Sequence, residues 1–450
     1  MKLIKTLLAT AFLVSAMAQA TTLAVIDSGT DTLHKDLLAS LWINPIEGEI
    51  SNDRDEDQNG YQDDIYGWNF AEGNNLVIDP KYRNSLTPDI RKFFALQAKS
   101  FYGTITEEER EWIKTKLGEQ EFLKSIQVYG NFMHGTHVAG ITVANNPTAK
   151  ILSVKLIPTE VALPGQKEIE MAASQKGLGL TLAKLALGQL AKAQITQMSE
   201  IAAYVNSHKA RVANGSFGTG YPQARMIAEL IGGPFKLTEE EIVEVAKHFL
   251  GTLNKEGVHF VGEARNTLFV FAAGNDGLSN DEFGSFPTNI DADNVISVAA
   301  TIGSGKLAGF SNFGKKTVDV AAPGVAINST VPDNMYLKVS GTSQAAPYVA
   351  NIAARISETN SELLAIQIKK IIMKTVDKRR SYEATVKAGG DVNMDRAVQA
   401  AENTLKMNLD EAIDLSHKQI KTTDSEKGLS KDGALYEGYV LPMPSPFVLK

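Results

Sequence analysis

Six short runs of β-branched and apolar residues, at 21–26, 151–156, 211–214, 267–271, 295–299 and 318–320, are separated by longer stretches with helical patterning. The clearest of these stretches is 179–205, where leucine, alanine and isoleucine recur at helical spacing. A continuous apolar strand offers no polar face to water, so it must be covered on both sides. Strands that alternate with helices are joined by crossovers, and the crossovers supply that cover. The pattern predicts an α/β fold: a doubly wound, mostly parallel sheet with helices on both faces. In such sheets ligands collect at the carboxyl ends of the strands. The first run places Asp27 at such an end.

Four motifs carry reactive residue types: LAVIDSGTD at 23–31, HGTHVAG at 134–140, FAAGNDG at 271–277 and SGTSQAAPYVA at 340–350. A serine hydroxyl is a weak nucleophile unless a base removes its proton and donors stabilise the oxyanion that forms. Ser343, His134, Asp27 and Asn275 are the residue types that meet those needs. Taken singly, each motif has a plain structural reading. Asp-Ser-Gly and Asn-Asp-Gly make turns, and Gly-Thr-Ser caps a helix.

Taken together, in the order Asp, His, Asn, Ser, the motifs resemble the subtilisin-like serine protease family (subtilases). Chymotrypsin-like and α/β-hydrolase enzymes place their triads in other orders. The resemblance runs from about 23 to 401 and includes VANGSFG at 212–218, FSNFG at 310–314, DVAAPG at 319–324 and the GGDVNMDRAVQAA run from Gly389. It implies that Ser343 is the nucleophile, His134 the general base, Asp27 its orienting carboxylate and Asn275 an oxyanion donor. It also implies that Ser216, Phe217 and Gly218 form an edge that pairs with substrate backbone. Ala273 and Gly274, with Ala272, would give the first specificity pocket small walls that admit large apolar side chains. Asp276 would add some tolerance of basic groups. His137 is expected to be a packed structural residue. Pro347 is expected in the first turn of a helix opening at Thr342, where a missing N–H is tolerated.

The resemblance divides the chain into a leader (1–20), a peptidase domain (21–401) with helical insertions near 74–130 and 222–257, and a tail (402–450). The insertions are expected to wall or cover the cleft. The leader has Lys2 and Lys5, an apolar stretch and a final Ala-Gln-Ala, the pattern of a secretory signal peptide. Its apolar run is too short for a bilayer span, and no later segment reads as one. Secretion or delivery to the periplasm follows. Only six residues separate the predicted cleavage point from Asp27, leaving no room for the N-terminal propeptide common in the family. The tail is expected to be disordered or loosely packed, or to act as a cleaved or regulatory segment.

Acidic residues outnumber basic ones, 52 to 45, giving a net charge of −7. Loss of two lysines with the leader makes this −9 (−7 − 2), which argues against a nucleic-acid partner. The chain has no cysteine, which excludes a thiol nucleophile. Extended polypeptide is the expected partner, and the oligomeric state is left open. Chemistry of this kind needs no cofactor. A structural calcium is expected at NDRDEDQNGYQDD (52–64), where Asp55, Asp57, Asn59, the Tyr61 carbonyl and Asp63 fit the opening of a calcium loop. The glutamate that would close an EF-hand is replaced by Tyr66. The sequence thus reads as a secreted serine endopeptidase. A non-catalytic peptide-binding relative is the alternative from another class, and a peptide ligase or cyclase is the alternative on the same fold.

Overall fold

The computed structural model describes residues 20–48, 50–160, 179–303, 305–422 and 440–445. The predicted leader lies outside them, except for Ala20. Its strands are β1 (Thr22–Asp27), β2 (Gly67–Asn69), β3 (Lys150–Lys155), β4 (Val212–Gly215), β5 (Thr219–Gly220), β6 (Leu268–Ala272), β7 (Ser285–Phe286), β8 (Val295–Thr301), β9 (Val320–Pro323), β10 (Ile327–Val331), β11 (Met335–Val339), β12 (Asp377–Lys378) and β13 (Gly390–Asp391). Among the described residues the central sheet has nine strands, in the order β2-β3-β1-β4-β6-β8-β9-β13-β12. Every pairing in it is parallel except β12 with β13. The fold is doubly wound α/β, as the alternation predicts.

The helices are α1 (Pro88–Phe101), α2 (Glu107–Leu117), α3 (Gln120–Thr142), α4 (Gly179–Ser207), α5 (Tyr221–Gly232), α6 (Glu239–Gly262), α7 (Asn280–Phe283), α8 (Thr342–Thr359), α9 (Ala365–Lys374), α10 (Met394–Thr404) and α11 (Leu409–Gln419). Successive side chains of each strand point to opposite faces. Leu23 and Val25 join Val212, Val270 and Val298 in one core with α3, α8, α9 and α10. Ala24 and Ile26 join Val154, Phe269 and Phe271 in the other, under α4, α5 and α6. Full burial of such a side chain contributes roughly 1.5–3 kcal/mol. That two-sided demand is why the strand runs are mostly apolar.

Four elements differ from the sequence reading. Helix α3, which carries the HGTHVAG motif, begins far upstream at Gln120, inside the expected 74–130 insertion, because Phe122, Ile126, Tyr129, Phe132 and Met133 bury one stripe against a core that includes Val331, Leu337 and Val339 of the β10–β11 hairpin. Helix α6 buries Val245, Phe249 and Leu253 as a layer of the fold, not as a lid. Helix α11 belongs to the packed body: Asn408 caps it, Ala412 and Ile413 are buried, and the buried Arg396 donates to Ile420 O at 3.0 Å. Pro347 lies inside α8, beyond the first turn. Its ring removes the N–H that would bond the carbonyl four residues back, that of Ser343. The Ser216 hydroxyl takes that place, donating to Ser343 O at 2.9 Å.

Candidate active site

The parallel strands set Asp27, Gly215 and Ala272 at the same edge of the sheet, the carboxyl ends of β1, β4 and β6. Helix α3 passes this edge and presents His134, whose Nδ1 lies 2.7 Å from Asp27 Oδ1. Asp27 is 1% exposed, and the same oxygen accepts the Ser28 N–H at 2.7 Å. A carboxylate held by a backbone donor and a ring nitrogen fixes the imidazole with its proton on Nδ1. Nε2 is thereby left as an acceptor.

Ser343 sits at the start of α8, where the first N–H groups of a helix have no partner within it. Its hydroxyl donates to Ser216 O at 3.2 Å, and Ser216 in turn bonds the Ser343 carbonyl, so two bonds join the end of β4 to the start of α8. Asn275 is oriented by a short chain of donors. The Gly274 N–H donates to Thr342 Oγ1 at 3.1 Å, so the Thr342 hydroxyl proton is free to bond Asn275 Oδ1 at 2.8 Å. The Thr342 N–H donates to the same oxygen at 2.9 Å. With two donors on its oxygen, the Asn275 amide must aim its NH₂ into the cleft. Thr342 was missed by the sequence reading, although it stands beside Ser343.

A family model described as "Subtilase family" matches residues 18–399. The chain belongs to the subtilase family. It is 25% identical over 395 residues to Subtilisin-like protease 1 of Plasmodium vivax, a match covering 85% of this chain and 47% of the Plasmodium protein. The subtilase chain thus spans about half the length of that relative. Subtilisin BL of Lederbergia lenta is 28% identical over 242 residues, 54% of this chain and 69% of the other. A solved structure of subtilase cytotoxin SubAB covers 89% of this chain and 92% of its own, at 16% identity and a TM-score of 0.47.

The residues expected to contact substrate, Ser216, Phe217, Gly218, Ala273 and Gly274, are all buried in this subtilase. Phe217 is fully buried and packs on Phe271, and Ala273 is buried beside Ala299 and Val318. Ser216 is committed to Ser343, as above. Gly274 adopts φ +116°, and a Cβ there would come within 2.3 Å of Asn312 Nδ2, so only glycine fits. The Gly218 N–H donates to Pro444 O at 2.9 Å. Asp276 is exposed and lies over Gly220, where an added Cβ would come within 2.3 Å of its Oδ2.

The acidic loop is rearranged relative to the expected ligand set. Asp55 caps the turn, accepting the N–H groups of Asn59 and Gly60 at 3.1 and 2.9 Å. Asp63 accepts those of Asn52 and Asp53 at 2.8 and 3.0 Å, and Asn59 Oδ1 accepts that of Tyr61 at 2.7 Å. The carboxylates that converge are Glu47, Asp57 and Asp64, with oxygens within 4.8 Å of one another. Asp57 alone is shared with the expected set. Asn44 bridges Asp57 and Asp64, and the Tyr204 hydroxyl donates to Asp64 at 2.7 Å. Burial pushes the Glu47 carboxyl up. Glu47 lies upstream of the loop motif and Tyr204 far downstream, so local spacing carried no sign of either.

His137 is fully buried. Its Nε2 lies 3.1 Å from both Ile327 O and Leu337 O, tying α3 to the β10–β11 hairpin. Its Nδ1 has no partner among the described residues, and burial pushes the pKa down to about 4. The folded chain therefore rejects a proton that the unfolded chain accepts near pH 6.5. Stability from this group is complete above that pH and is lost as pH falls toward 4, by about 3 kcal/mol in all. The urea midpoint is expected to fall over that window, and more steeply than in His137→Gln. Equal slopes would contradict this origin.

Proposed function

We propose that this subtilase is an exported serine endopeptidase acting on extended polypeptide. The 2.7 Å bond between Asp27 and His134 is the observation that carries this reading, and Ser343 at the start of α8 supports it. Ser343 Oγ attacks a peptide carbonyl while His134 Nε2 takes its proton and later delivers it to the leaving amine. For that step the hydroxyl leaves Ser216 O and turns to the imidazole. Asp27 holds the imidazole and stabilises the imidazolium. Asn275 Nδ2 and the Ser343 N–H stabilise the oxyanion, and water then resolves the acyl-enzyme.

Substrate would lie along Gly218, whose N–H offers a strand-like bond to a backbone carbonyl. No helix among the described residues is long and apolar enough to cross a membrane. The leader pattern at 1–20 supports export. The test is incubation with an unfolded protein, followed by mass analysis of new termini. New termini that vanish with Ser343→Ala are expected; the same fragments from Ser343→Ala, or none from the native chain, would sink the reading.

Calcium fits the Glu47–Asp57–Asp64 group. Three carboxylates share one partly buried locus, and a hard cation with oxygen ligands would relieve their repulsion. The ion would be structural, holding the 52–64 loop against α4. At a hundredfold excess over Kd, such binding stabilises by roughly 3 kcal/mol. A chelator is expected to lower Tm by several degrees, with calcium restoring it, and Asp57→Asn is expected to abolish the response. A Tm indifferent to calcium would remove the ion from the account.

A further inference from the structure

Residues 440–445, VLPMPS, lie in the proposed substrate cleft and take up its donors one after another. Leu441 O faces Asn275 Nδ2 at 3.4 Å, and Met443 O accepts from Gln223 Nε2 at 3.4 Å. Pro444 O accepts the Gly218 N–H at 2.9 Å, and the hydroxyls of Ser445 and Thr219 lie 3.0 Å apart. Met443 is 5% exposed, and its terminal methyl is so close to Gly218 that a Cβ there would come within 2.6 Å of it. Leu441 is half-buried and reaches α3 at Gly130, one turn before His134. With the segment seated, Ser343 is 2% exposed and His134 8%.

These contacts are those of a ligand rather than of ordinary packing. Its carbonyls bond the two donors that the mechanism assigns to substrate, the Gly218 edge and the Asn275 amide. The segment is also a poor substrate. The carbonyl at Asn275 belongs to the Leu441–Pro442 bond, whose nitrogen is tertiary and locked in a ring. Ser343 Oγ meanwhile donates to Ser216 O. Prolines at 442, 444 and 446 restrict the free segment, which lowers the entropy lost on seating. A tethered segment also presents itself at roughly millimolar effective concentration.

We propose that residues 440–445 are an intramolecular competitive inhibitor that keeps the enzyme latent until the segment is cut away or displaced by extended polypeptide. The proposal rests on the reading of this cleft as the substrate site, so its test includes an arm that needs no catalysis. The chain contains no cysteine, so one introduced thiol is unique. In the Ser343→Ala background, Met443→Cys is expected to react with a maleimide at least about tenfold more slowly than Pro442→Cys, its exposed neighbour. Millimolar synthetic VLPMPS should close that gap by competing for the cleft. In the active chain, Met443→Arg is expected to raise kcat/KM for a short chromogenic peptide about tenfold or more, and added VLPMPS should reverse the gain. Equal labelling at the two positions would overturn the seat itself. Slow labelling without a gain in kcat/KM would overturn the inhibitory role.

Discussion

Replacement of Asn275 by alanine is expected to lower kcat by about 10²–10³-fold with little change in KM, the magnitude known for loss of such a donor in subtilisin. Its side-chain oxygen is held by the Thr342 N–H and hydroxyl, so the amide nitrogen is committed to the cleft before substrate arrives. A donor fixed in advance costs no reorganisation when charge develops. Because the charge exists only in the transition state, the loss falls on kcat. Asn275→Asp makes a sharper test. A carboxylate would keep both Thr342 bonds and place a second negative oxygen where the oxyanion forms, so it should be worse than alanine. Equal kcat for Asn275→Ala and the native enzyme would remove Asn275 from the mechanism.

Asp27→Asn is expected to lower kcat by about 10⁴-fold, the effect of the same change in other serine proteases. The Ser28 N–H favours an oxygen at the Oδ1 position, which would keep the imidazole bond. What goes is the negative charge that stabilises the imidazolium. If the amide turns the other way, its NH₂ meets the ring nitrogen and forces the proton onto Nε2, where it can no longer accept from Ser343. Either outcome disables the base. The substitution is isosteric and should leave the fold intact. A kcat within tenfold of native would mean that another group orients His134.

The sheet, and the places of the candidate residues on it, were legible in the sequence for related reasons. A strand buried on both faces is apolar along most of its length, and in a doubly wound sheet candidate groups are sought at the strand ends, where Asp27 lies. Ser343 and Asn275 stand in short motifs whose turn chemistry is local. The rest depends on partners far along the chain. Thr342 shows its role only once Gly274 is beside it, and Ser216 only once Pro347 frees a carbonyl inside α8. Glu47 and Asp64 meet through a loop fold that Asn44 and Tyr204 complete. Helix α3 starts early because its apolar stripe meets a hairpin some two hundred residues on, as its His137–Leu337 contact at a separation of 200 shows. The seat of residues 440–445 depends on Gly218 and Thr219, the latter 226 positions from Ser445.

If Ser343 is an activated nucleophile, a fluorophosphonate should label it covalently, and peptide mapping locates the adduct. A single adduct is expected on Ser343, formed slowly in the native chain, faster in Met443→Arg, and absent in His134→Ala. An adduct on another residue, or none in either the native chain or Met443→Arg, would contradict it.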